Sequence, residues 1–166
     1  MAALRSPYNV LFLCTGNSAR SILAEAILNH RGKPNFHAFS AGSHPTGRIN
    51  PLALKQLEVA GLPVAGLRSK SWDEFAESGA PQMNFVFTVC DNAAAEVCPL
   101  WPGQPVTAHW GVPDPAAVVG TFEQMERAFR DAFVTLDRRI ALFLSLPLAS
   151  LGALALKKEV TRIGRE

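Results

Sequence analysis

Cysteine is scarce in this chain: Cys14, Cys90 and Cys98 are all there are among 166 residues. Three thiols in a chain of this size do not build a disulfide framework, so a reducing, cytoplasmic compartment is expected. Charge is also sparse, at 18% of residues, and nearly balanced, with sixteen basic against fourteen acidic side chains and a net charge of +2. No long basic run accompanies that balance, which excludes the usual footprint of a nucleic-acid binder. The first residues hold one arginine and a short apolar run before the polar Thr15-Gly16-Asn17-Ser18, so no signal peptide is read there. The uncharged stretch from Ile140 to Leu156, flanked by Arg138-Arg139 and Lys157-Lys158, has almost the length of a membrane span. Pro147, Gly152, Ser145 and Ser150 interrupt it and much of it is needed to cover a sheet, so no membrane association is expected.

What the chain does have is a core-forming composition, 48% apolar, in a length that suits one domain over residues 1–166. Asn9-Val10-Leu11-Phe12-Leu13 reads as a buried strand, and a helix follows from near Ser21 with apolar residues at helical spacing. Asn29 to Asn35 is a turn, and Phe36 to Ser40 alternates like a second strand, with His37 on a surface or sheet face. Asn50-Pro51 starts a helix whose apolar side is Leu52, Leu54, Leu57 and Val59, and Gly61 ends it. Ser71 and Glu74 have the spacing of a capping box for a short helix through about Glu77. Asn84 to Cys90 is the most strand-like run, of the kind buried on both faces of a parallel sheet. A fourth strand, Val106 to Trp110, leads into a loop from Gly111 to Gly120.

A long amphipathic helix is expected near Thr121 to Leu146, with Phe122, Met125, Phe129, Phe133, Leu136, Ile140, Phe143 and Leu144 on its buried side. After a break at Leu146-Pro147, a second helix over about Leu148 to Ile163 forms a C-terminal extension, residues 147–166. Its leucines pack either on this chain or on a twin subunit, the second case giving a homodimer through that helix.

The chemistry concentrates in Cys14-Thr15-Gly16-Asn17-Ser18-Ala19-Arg20-Ser21, between the first strand and the first helix. A thiol followed by small residues and a helix N-terminus has successive backbone N–H groups available to one spot, which makes an oxyanion cradle. Arg20 can pair two oxygens of the anion above the sulfur. A helix N-terminus, a guanidinium and the Ser21 hydroxyl are expected to lower the Cys14 pKa from about 8.5 into the range of roughly 3.5 to 7.5. Asn17 and Ser18 are expected to hold the shape of the loop. Cys90 and Cys14 both fall at carboxyl ends of strands, where open parallel sheets bind ligands. Cys98 lies eight residues after Cys90; on a continuous helix the two would be about 12 Å apart along the axis, so they pair only if that segment moves. Asp114-Pro115 on its spacing alone reads as an ordinary turn. A carboxyl partly shielded by Trp110 and Pro113 can also act as a proton donor. A zinc ion on Cys90, Cys98 and His109 is not expected, because no Cys-x-x-Cys pair is present.

Leu13 to Ser21 resembles the anion loop of the low-molecular-weight protein tyrosine phosphatase superfamily. Ser40-Ala41-Gly42-Ser43-His44-Pro45, Arg68-Ser69-Lys70-Ser71 and His109-Trp110-Gly111-Val112-Pro113-Asp114-Pro115 resemble its arsenate reductase branch, over about residues 8 to 145. The resemblance implies an α/β three-layer sandwich around a four-stranded parallel sheet flanked by helices, here with the extra C-terminal helix. It implies Cys14 as nucleophile, Arg20 and the amides of residues 14–21 as the anion site, and Asp114 as general acid. It further implies arsenate or a phosphate-like oxyanion as ligand, no bound cofactor, and an external thiol donor, either glutathione with a glutaredoxin or a thioredoxin.

Two departures concern the thiols. Branch members coupled to thioredoxin carry a second cysteine where this chain has Ala19, and their later cysteine pair is seven residues apart rather than eight. Either Cys90 replaces the missing thiol and Cys98 resolves it, or an external thiol does both. A third departure concerns the competing phosphatase reading, in which water hydrolyses a phosphocysteine. That branch follows its Asp-Pro with tyrosines, whereas Ala116-Ala117-Val118 follows here and the one tyrosine is Tyr8. A binding module for oxyanions without turnover is the remaining reading.

Overall fold

The first strand, β1 (Tyr8–Cys14), is an apolar run whose last five residues are buried, as a strand in the middle of a parallel sheet must be. The computed structural model describes residues 6–91 and 101–166. It sets β1 between β2 (Phe36–Gly42) and β3 (Phe85–Thr88), with β4 (Val106–His109) beyond β3. All neighbouring pairs are parallel, and the register puts Cys14 beside Gly42 and Leu13 beside Thr88. β3 is shorter than the expected run from Asn84 to Cys90, so Cys90 stands just past its end.

Alternation along β1 sends Val10, Phe12 and Cys14 to one face and Leu11 and Leu13 to the other. Four helices, α1 (Arg20–Arg31), α2 (Pro51–Val59), α3 (Phe122–Leu144) and α4 (Ala153–Ile163), bury their apolar residues in the first cluster. At its centre Phe87 stacks on Trp110 with ring centroids 4.1 Å apart, and Phe143 of α3 meets Phe85 edge-on at 5.0 Å. Among the described residues the opposite face carries a thinner layer, in which Trp72, Phe75 and Met83 cover Leu11, Leu13, Ala41 and Val86. This is the four-stranded parallel sheet flanked by helices that the resemblance implied.

Local departures from the sequence reading have local causes. α2 begins as expected, with the Asn50 side chain accepting from Leu52 N and Pro51 at the first position; Ala53 and Leu57 are buried and Leu52 packs on the core partly buried, but Val59 is 75% exposed. Ser71 caps a 3₁₀ turn, Trp72–Phe75, by accepting from Asp73 N. The expected box does not close, because the Glu74 carboxylate is taken by Arg68 at 2.6 and 3.0 Å, and the turn ends before Glu77. On α3, which opens with a complete capping box between Thr121 and Gln124, Phe129, Leu136, Ile140 and Phe143 are buried. Phe122 is 57% exposed instead, under the Lys55 ammonium at 5.0 Å.

The long helix ends at Leu144, two residues before the expected break; the chain then passes Pro147 and a 3₁₀ turn at Leu148–Ser150, and enters α4 only at Ala153 rather than Leu148. Val160 and Ile163 of α4 join the main core and the helix packs on β4. Val160 and Ile163 of its apolar face therefore pack on this chain, while Leu154 is left exposed. Among the described residues no helix is long and apolar enough to cross a membrane.

Candidate active site

The strand order places β2 and β3 on opposite sides of β1, so the chain changes direction of winding at β1. Ligand crevices of parallel sheets form outside the strand ends at that point. Cys14 ends β1 there, and Cys90 follows β3 beside it; both are buried.

Between Cys14 and α1 the backbone carbonyls are drawn outwards. Cys14 O accepts from Ser43 N at 3.3 Å, Thr15 O from His44 N at 2.9 Å, Gly16 O from Thr46 N at 3.0 Å, and Ser18 O from Asn50 N at 2.9 Å. In a trans peptide the N–H opposes the carbonyl, so the amides of Thr15, Gly16, Asn17 and Ala19 face the other way. Asn17 N–H donates to Cys14 Sγ at 3.2 Å. No side chain caps α1 and its first turn holds no acid, which leaves its positive end to whatever anion the loop takes. Gly42 of β2 is required by this packing, since a Cβ there would run into the Thr15 carbonyl.

Asn17 is the keystone of the loop. It has φ +46° and is fully buried. Its Nδ2 donates to Ser21 Oγ at 2.8 Å and to Ser40 Oγ at 3.0 Å, and its Oδ1 accepts from Lys70 N at 2.9 Å. Ser40 Oγ donates onward to Glu25 Oε1 at 2.6 Å, and the Lys70 ammonium stands 3.6 Å from the same oxygen. Burial raises the Glu25 carboxyl and lowers the Lys70 ammonium, each partly offset by the other's charge. The sequence reading gave Glu25, Ser40 and Lys70 no role. Lys70 and Ser40 did sit inside the quoted motifs, which was the available signal.

Ser21 Oγ lies 2.9 Å from Cys14 Sγ. Its hydroxyl and the Ser21 and Asn17 amides pull the Cys14 pKa down, but burial pushes it up by more, and the charge of nearby Cys90 adds to the rise. The expected lowering is therefore corrected in direction: in this conformation burial holds the Cys14 pKa above its ordinary value. Arg20 is engaged elsewhere. Its Nη1 donates to Val112 O at 3.0 Å and its Nη2 stands 3.7 Å from Asp114 Oδ2, so the guanidinium is committed to the acid loop. Alkylation of Cys14 by iodoacetamide, followed by peptide mapping, should keep accelerating beyond the ordinary thiol value of about pH 8.5; a plateau near pH 6 would contradict the burial effect.

Asp114 caps a 3₁₀ turn, Pro115–Ala117, by accepting from Ala116 N at 3.0 Å, and its side chain is 43% exposed. Trp110 does not shield it, contrary to expectation: that indole is in the core and donates to Val160 O at 2.9 Å. Arg20, Cys90, Asp91, Gly111, Val112, Pro113 and Asp114 line one open cavity. Thr15 Oγ1 reaches Cys90 Sγ at 3.6 Å, linking the loop to the second thiol. His109 is engaged by Asp91 at 2.8 Å and by Thr88 Oγ1 at 2.8 Å, and no group of three metal-binding side chains occurs among the described residues. Cys98 lies outside the described residues, so its place relative to Cys90 is not part of this geometry.

A thiol seated among inward-facing amides at the switch point of a parallel sheet defines a cysteine-loop α/β protein. The chain belongs to the low molecular weight phosphotyrosine protein phosphatase family, whose model matches residues 9–160. It is 34% identical over 134 residues to a protein of Shouchella clausii named arsenate reductase, covering 81% of this chain and 93% of that one. The crystal structure of an arsenate reductase from Archaeoglobus fulgidus matches with TM-score 0.65 and 25% identity, over 82% of this chain and 99% of that one. A thioredoxin-dependent arsenate reductase of Corynebacterium glutamicum matches with TM-score 0.56 and 25% identity, over 84% of this chain and 65% of that one.

Proposed function

We propose that this protein is an arsenate reductase that takes its electrons from thiols. The observation that carries the reading is the meeting of two buried thiols, Cys14 and Cys90, at the ends of adjacent parallel strands, on either side of Thr15. Hydrolysis needs one sulfur; reduction of a tetrahedral oxyanion by thiol exchange needs two.

Arsenate occupies the loop with its oxygens on the amides of residues 15–20, and Arg20 swings from Val112 to pair with them. As the Cys14 thiolate forms, its proton passes to an arsenate oxygen, because burial favours the neutral thiol until the anion is in place. Sulfur then bonds to arsenic, one As–O bond breaks, and Asp114 gives the departing oxygen its second proton so that it leaves as water. A second thiolate attacks Cys14 Sγ, the S–As electron pair moves to arsenic, and arsenite departs while two thiols become a disulfide. Ala19 supplies no thiol, so Cys90 or an external thiol performs that attack. A thioredoxin or a glutathione and glutaredoxin system then restores the dithiol. No bound cofactor enters this scheme.

The phosphatase alternative wants an aromatic wall for a phenyl ring. Tyr8 lies at the far end of β1 from Cys14, packed on Phe36 and Phe85, and alanines follow Pro115. The deciding experiment is arsenite formation from arsenate with each donor system, alongside hydrolysis of p-nitrophenyl phosphate. Rapid arsenite formation with slow hydrolysis supports the reductase; hydrolysis alone replaces it with the phosphatase. Asp114→Asn is expected to lower kcat for arsenate about 100-fold with KM little changed, because the side chain acts on the leaving oxygen and not on the bound ground state.

A further inference from the structure

Arg139 is a buried guanidinium that the mechanism above does not use, 7% exposed on the inner side of α3. Burial works against its charge. Its Nη1 donates to Gly111 O at 3.0 Å and its Nε to Glu166 O at 3.1 Å. Filling this space with an apolar side chain of similar length would avoid the desolvation of a charge, so packing does not account for an arginine here. The fork of donors does, because it ties the Gly111 carbonyl to the main-chain oxygen of Glu166, two points far apart in sequence.

One of those carbonyls is the stem of the acid loop. Gly111 O is held by Arg139 from α3, and the next carbonyl, Val112 O, is held by Arg20 from α1 at 3.0 Å. Val112 N donates to Val89 O at 3.0 Å. Asp114 follows two residues later. The other tie reaches Glu166, next to residues 157–164, which other contacts hold against β4 and Trp110: Trp110 Nε1 donates to Val160 O at 2.9 Å, Lys157 Nζ bonds Thr107 O, and Gly164 sits where a Cβ would strike the His109 carbonyl.

We propose that Arg139 is a positioning residue for Asp114: together with the segment that ends at residue 166, it sets the stem of the acid loop so that the carboxyl reaches the departing oxygen. The inference rests on the reductase reading for its kinetic arm and on the geometry alone for its structural arm. Its test uses the full chain carrying Arg139→Met. In hydrogen exchange followed by NMR, the amides of Val112 and Ala116 should exchange about 10-fold faster than in wild type, with those of Leu11 and Phe12 unchanged. In turnover, kcat for arsenate should fall about 10-fold with KM within about twofold, and Arg139→Lys should recover part of the loss. Combined with Asp114→Asn, Arg139→Met should add no further loss, since both act through the same carboxyl.

Gly164→Ala, which lifts the end of the chain off His109, should produce the same pattern and carries the test if Arg139→Met does not fold. Unchanged amide exchange at Val112 and Ala116, or losses that multiply in the double variant, would overturn the proposal. If wild type makes no arsenite, the functional reading fails while amide exchange still decides this one.

Discussion

Cys14→Ser is expected to abolish arsenite formation with every donor system, a loss of about 10⁴-fold or more in kcat. The reason is chemical before it is geometric. Serine at this position would keep the contact that Ser21 Oγ makes at 2.9 Å and the one that Asn17 N–H makes at 3.2 Å, so the loop has no cause to unfold. An alkoxide is far harder to form than a thiolate in a site where burial already opposes the charged form of the thiol. Once bonded to arsenic, an oxygen also cannot accept attack by a second thiol to release arsenite. The variant should therefore still bind phosphate or arsenate, measurable by calorimetry, while making no product. Full turnover in Cys14→Ser would move the reaction to another residue.

Asn17→Ala carries the second large effect, on stability and rate together. The native φ of +46° suits asparagine and costs alanine about 1 kcal/mol or more. Removing the side chain leaves the Lys70 N–H without the acceptor it has at 2.9 Å inside the protein, at about 1 to 3 kcal/mol, and strips a donor from both Ser21 and Ser40. The sum expected in denaturant unfolding is about 3 to 5 kcal/mol. Turnover should fall about 100-fold as the amides lose their common aim. Asn17→Asp keeps tolerance of the left-handed backbone but puts a carboxylate beneath the thiol, so it should recover stability more than rate. A change below about 1 kcal/mol in Asn17→Ala would show that the loop is held by its carbonyl contacts alone.

The sheet was legible because β1 and β3 are apolar runs between turn residues and β2 alternates, and the start of α2 because asparagine followed by proline has one structural use. The nucleophile loop was legible as a thiol before a helix. What could not be read were contacts made across the fold. Ser71 and Glu74 have the spacing of a box, but Arg68 competes for the carboxylate and wins. Trp110 looked like a neighbour of Asp114 because it is near in sequence, yet its ring faces the main core while the acid faces solvent. The commitment of Arg20 to Val112 and Asp114 depends on the loop after β4 reaching the first residue of α1, which the spacing after Cys14 does not contain. Burial reversed the expected direction at Cys14 for the same reason: local donors are visible in the sequence, desolvation is not. Arg139 read as a charge bordering an apolar stretch, and only the fold turns it inward.

The central claim is that Cys14 sulfur bonds to arsenic and is then taken by a second thiol. A single-turnover reaction tests it: fully reduced protein is mixed with one equivalent of arsenate in the presence of glutathione, quenched with an alkylating agent, assayed for arsenite and mapped by mass spectrometry. The account predicts one arsenite per chain and Cys14 protected from alkylation in a disulfide, with Cys90, Cys98 or glutathione as the other half. Arsenite formed while Cys14 remains a fully alkylatable thiol would contradict it.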